Sequence, residues 1–142
     1  MVLSDISQIM LGLTGDAYRG ARVRGLVRAD VTALPLADGT FSCSIYLGLM
    51  HRVPAEIRRA AMRELARVTS GHLIVSFSAF DRARAAKRAV IRQIRPNFQF
   101  GSHPTTMDEL RREFAEMGMR LVRIYRAIPF VSSEVVALLD VG

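Results

Sequence analysis

The sequence predicts an α/β fold built on a mostly parallel sheet, and three observations carry that expectation. Short apolar runs alternate with amphipathic stretches through most of the 142 residues. Several of the runs end at an acid or a small polar residue: Asp5, Asp30, Ser78. The chain closes on two apolar runs joined by a short turn, a connection that only antiparallel strands allow.

In order, VLS (2–4) reads as a strand, and Ser7 can cap a helix running to about Tyr18. Gly12 and Gly15 weaken that helix, each costing about 1 kcal/mol against alanine, so they read as fraying. RVRGLVRA (22–29) reads as a second strand that Asp30 closes, and LPLADGT as a loop with Asp38-Gly39 as its turn. FSCSIYL (41–47) is apolar enough for burial on both faces, as in a parallel strand, with Cys43 as a small buried hydrophobe. Pro54 suits the first turn of a helix whose apolar face is Ile57, Ala61, Leu65 and Val68, with Arg58, Arg59, Arg63 and Arg67 mostly off it. Gly71 is read as its stop, before the strand HLIVSFS (72–78). Asp81 then caps a basic helix that Pro96 ends. Thr106 and Glu109 form a capping box for a last helix with the stripe Met107, Leu110, Phe114, Met117, stopped by Gly118. Strands over about 119–128 and 133–141 finish the chain.

Composition narrows the class without naming a function. Apolar residues make up 50% and charged residues 23%, ordinary values for a globular domain. No apolar run approaches the ~18–20 residues of a membrane span, and no leader pattern opens the chain, so a cytoplasmic location is expected. A lone cysteine excludes an internal disulfide, and no metal site is expected. The net charge is +7, and Lys87 is the one lysine among twenty basic residues. That balance permits a phosphorylated substrate, an anionic membrane surface or nucleic acid. The last is the weakest, because no aromatic-rich basic surface accompanies the charge.

The residues also resemble a known family. Asp30 is followed by Leu34-Pro35-Leu36, Asp38, Thr40-Phe41, a buried strand, then Met50-His51-Arg52-Val53. Glu64-Leu65-Ala66-Arg67-Val68 and Ser70-Gly71-His72 lead into LIVS, and DISQIM opens the chain. This order is similar to that of the class I S-adenosylmethionine-dependent methyltransferases, in particular the subgroup acting on small molecules and lipids. The resemblance implies a single Rossmann-like domain over 1–142, its mostly parallel sheet flanked by helices, with an antiparallel C-terminal hairpin strand. It implies S-adenosylmethionine as cofactor and a small-molecule or lipid-like acceptor. Asp5 would take the ribose hydroxyls and Ile6 pack on the adenine. Asp30 would meet the adenine amino group and the Val31 backbone a ring nitrogen, while Leu47 and Gly48 line the cleft.

Methyl transfer asks little of side chains beyond in-line positioning and a base for a protonated nucleophile. His51, just past the third strand, is the candidate catalytic base; packing at a loop is the alternative role. His72 and His103 read as structural or exposed. Arg84, Arg88 and Arg92 share a face of the basic helix and are candidates for contact with an anionic substrate or membrane surface, against the plainer reading of a solvated face.

The family's glycine-rich loop after its first strand is not found in this sequence; Gly12, Gly15 and Gly20 have the wrong spacing. The first strand and its helix are expected to be lacking, so the domain reads as N-terminally incomplete. In the implied order 3-2-1-4-5-7-6 that strand would lie between residues 2–4 and 42–47. Direct pairing of the flanking strands, a second chain completing the sheet, and a truncated reading frame are the three ways out; the third is favoured here. The function expected is a truncated methyltransferase, with a non-catalytic remnant or partner subunit as the alternative.

Overall fold

The computed structural model describes residues 1–48, 50–80, 105–126 and 134–142. Its elements follow the expected alternation. They are β1 (Val2–Asp5), α1 (Gln8–Ala17), β2 (Gly25–Arg28), β3 (Phe41–Tyr46), α2 (Ala55–Val68) and β4 (Thr69–Phe80). β5 (Thr105–Thr106), α3 (Met107–Glu116), β6 (Arg120–Arg126) and β7 (Glu134–Asp140) complete them. The basic helix expected between Asp81 and Pro96, with Arg84, Arg88 and Arg92, lies outside the described residues.

The strands form two sheets. β1 and β2 pair in parallel, from Val2 opposite Gly25 to Asp5 opposite Arg28. The larger sheet runs β3-β4-β7-β6, with β3 and β4 parallel, β7 antiparallel to both its neighbours, and β5 paired to β4. The two sheets part between β1 and β3, the point at which the strand order implied by the resemblance has a further strand. Direct pairing of those two strands is ruled out by this topology.

The core lies on one face of the larger sheet. Leu73, Val75 and Phe77 of β4 and Val135, Ala137 and Leu139 of β7 pack with Ala61, Met62, Leu65 and Val68 of α2 and Leu110 and Phe114 of α3. The Phe77 and Phe114 rings meet at a centroid distance of 5.5 Å and a tilt of 59°. The helix ends obey local chemistry. Ser7 accepts the Met10 N–H, and Thr106 and Glu109 form the expected reciprocal box. No helix among the described residues is long and apolar enough to cross a membrane.

Several expectations need correction. Ile57 is exposed, and Arg58 takes its place on the buried stripe because it finds a buried carboxylate partner. α2 ends at Val68, and Gly71 lies inside β4. A Cβ there would come within 2.6 Å of the Ser42 carbonyl oxygen, so the glycine permits close approach of β3 and β4 rather than stopping a helix. Gly15 is likewise inside α1, where it lets the helix rest on Leu26 of β2. Finally, β3 is not buried on both faces: Cys43 is exposed and Ile45 is 64% exposed. Ile45 stands beside Ile74, and Ile74 beside Leu138, on the face of the sheet away from α2 and α3. That apolar strip and the exposed Ile9, Met10 and Leu13 of α1 are left uncovered by the described residues.

Candidate functional site

The carboxyl ends of β1, β2 and β3 carry the residues singled out from the sequence. Asp5 ends β1, and its Oδ1 accepts the Ser7 N–H at 2.7 Å, so the carboxylate also starts α1. Among the described residues Oδ2 has no hydrogen-bond partner. Parallel pairing puts Arg28 beside Asp5, and the Arg28 Nε donates to the Ile6 carbonyl at 3.1 Å. Asp30 therefore follows just beyond the same sheet end. Its Oδ1 accepts both the Thr32 N–H (2.9 Å) and the Thr32 hydroxyl (2.8 Å). The backbone bond, then the side-chain bond, holds its carboxyl below the usual range. Ile6 is 62% exposed beside Asp5, whereas Val31 packs against the core.

At the end of β3, Leu47 is exposed and Gly48 has φ +87°, a conformation that favours glycine. Its N–H donates to the hydroxyl of Ser76, a buried residue of β4, at 2.8 Å. His51 follows in the turn before α2. Its Nδ1 is enclosed and has no hydrogen-bond partner among the described residues. An enclosed, unpaired ring nitrogen is uncommon and costs stability unless something else meets it.

The sequence reading missed Tyr46 at the end of β3. Burial pushes its phenol up to about 12, and the charges of Asp30 and Asp5 add to the shift. The phenol thus stays protonated, a donor within electrostatic reach of both acids. Only the alternation along β3 hints at this, since Tyr46 shares a face with the half-buried Ser44.

Glu64 and Arg67 were also missed as site residues. Arg67 Nη1 donates to the Leu36 carbonyl (2.8 Å) and Asp38 Oδ1 (2.6 Å), and Nη2 to the Leu34 carbonyl (3.0 Å). Nε and Nη2 also grip both Glu64 oxygens at 2.8 Å, and Glu64 Oε2 accepts the Leu34 N–H at 2.9 Å. The Arg67 bonds and the Leu34 N–H hold the Glu64 carboxyl down at about 2. A depressed folded-state value contributes stability above the ordinary value near 4.5, which is lost as pH falls toward 2. Urea midpoints of the native chain and Glu64→Gln should therefore differ at neutral pH and converge between pH 4.5 and 2; parallel curves across that window would contradict the pairing.

Comparison with known proteins follows the same lines. A family model described as a methyltransferase domain matches residues 1–75. Magnesium protoporphyrin IX methyltransferase from Synechocystis PCC 6803, solved with bound SAH, superposes with a TM-score of 0.73 at 19% identity, over 98% of this chain and 63% of that one. A SAM-dependent methyltransferase from Methanosarcina mazei gives 0.72 at 15% identity, covering 98% and 79%. Another from Leishmania major gives 0.71 at 12%, covering 98% and 54%. The chain thus spans less than two thirds of the Synechocystis enzyme. No curated protein sequence matches it.

Proposed function

The chain belongs to the methyltransferase-domain family, and from that premise we propose that the ends of β1, β2 and β3 form the cofactor-facing part of an S-adenosylmethionine-dependent methyltransferase acting on a small or lipid-like acceptor. The observation that carries this reading is the pair of acids at adjacent parallel strand ends, Asp5, whose Oδ2 has no hydrogen-bond partner among the described residues, and Asp30, held in its turn by Thr32. Adjacent hydroxyls need such an acceptor at a strand end, and ligands of open α/β sheets bind there. Ile6 offers an exposed apolar flank to a purine, the Val31 backbone a donor, and Gly48 a close backbone approach beside Leu47. The residues present fit the adenosine portion of the cofactor.

Bound there, S-adenosylmethionine supplies a sulfonium methyl as electrophile. The protein's share is to position the acceptor and take its proton. His51 is the group we assign to that proton, as the histidine that follows the end of β3, with an Nδ1 that has no hydrogen-bond partner among the described residues. Arg84, Arg88 and Arg92 remain our candidates for contact with an anionic acceptor or membrane surface.

The open edges of β1 and β3 limit what these 142 residues do alone. We assign the chain weak cofactor binding or none until a parallel strand stands between them, supplied by its own polypeptide or by a second chain. The same edges support the alternative of a non-catalytic partner subunit. Fusing a designed strand, glycine turn and helix ahead of Met1 separates the two. A methyltransferase gains cofactor binding that Asp5→Ala weakens at least tenfold. A fused chain whose affinity ignores Asp5→Ala would refute the assignment.

A further inference from the structure

We propose that Glu64 and Arg67 are positioning residues for the Asp30–Val31 corner, an inference that rests on the adenosine site just described. The 31–40 segment contains no helix or strand, so its own backbone does not hold it. One end is fixed by the β1–β2 ladder, which the Ala29 N–H extends by donating to the Asp5 carbonyl. The other end is fixed by α2: Leu34 is buried, and both its N–H and its carbonyl are taken by the Glu64–Arg67 pair.

Arg67 also accepts the Gly39 N–H at its own carbonyl, at 2.8 Å. From Leu34 to Gly39 the loop is therefore tied to one helical turn. The turn at Asp30 spans the few residues between these anchors and closes with the Ala33 N–H on the Asp30 carbonyl. Asp30 itself is exposed, and its carboxylate is held by Thr32 of its own loop. Where that carboxylate and the Val31 N–H point is thus set by where Leu34 is pinned. A planar fork is needed to reach two carbonyls and two carboxylates together; a lysine ammonium has no such fork.

A brace that only stabilises α2 would lower the thermal midpoint and leave ligand affinity unchanged at lower temperature. A positioning pair changes affinity as well. The test is a backbone-amide NMR titration with adenosine of the chain extended by the designed strand, glycine turn and helix, in its native and variant sequences, well below the midpoint of each variant. In the native sequence adenosine should shift the Asp5, Ile6, Asp30 and Val31 amides. In Arg67→Ala the dissociation constant should rise at least tenfold and the Asp30–Val31 shifts collapse. Arg67→Lys, which keeps the charge and a similar length, should not restore them, and Glu64→Gln should fall between.

Native-like titrations in folded Arg67→Lys and Glu64→Gln would overturn the inference while leaving the site intact. No shift at either corner in the native sequence would instead overturn the site, and the inference with it.

Discussion

Glu113→Ala is expected to cost the fold about 3–5 kcal/mol, the range for stripping one partner from a buried ion pair. Arg58 Nε and Nη2 donate to the two Glu113 oxygens at 3.1 and 2.6 Å, and both side chains are at least nine-tenths buried. The pair joins the first turn of α2 to the last turns of α3. Removing the carboxylate leaves a buried guanidinium without its partner; the half-exposed Arg59, which reaches the same Glu113 carboxylate at 3.5 Å, adds no compensation. Thermal or urea unfolding should show a drop of roughly 10–20 °C or the equivalent midpoint. The double variant Arg58→Met, Glu113→Leu should recover most of the loss, because a matched apolar pair needs no desolvation of charge. A single-variant cost under about 1 kcal/mol would contradict the burial of this pair.

Phe114→Ala is expected to cost a similar amount, about 3–5 kcal/mol, from transfer and cavity together. Phe114 is almost wholly buried and tilts against Phe77 of β4, so with Leu110 it packs α3 on the sheet. Phe114→Leu should recover more than half of that loss, since much of the volume returns. Equal losses for both variants would place the energetics in the ring contact rather than the volume.

Much of the scaffold was legible because it rests on local chemistry. The Thr106–Glu109 capping box, Ser7 at the start of α1, Gly118 after α3 and the closing antiparallel strands all follow from neighbours in sequence. The two sheets part between β1 and β3, where the strand order implied by the resemblance, rather than any local pattern, put a gap.

What was not legible depends on distant partners. Periodicity put Ile57 on the buried face of α2, but Glu113, distant in sequence, decides that Arg58 goes in instead. Cys43 and Ile45 look buried in an apolar run, yet the face they share is open, and no pattern within β3 reports that. Gly71 resembles a helix stop until the Ser42 carbonyl is brought beside it. Within the candidate site, Asp5 and Asp30 were singled out as acids that close expected strands, the ends at which ligands of such sheets bind. Tyr46, Ser76, Glu64 and Arg67 act through groups that only the fold assembles.

We propose that the chain carries a cofactor half-site whose completion waits on a strand between β1 and β3. Isothermal calorimetry of the 142-residue chain with S-adenosylmethionine tests it most directly, run beside the same chain extended by the designed strand, glycine turn and helix. The expected result is no micromolar binding by the chain alone and a gain of at least a hundredfold on extension. Micromolar affinity in the unextended chain would contradict the claim.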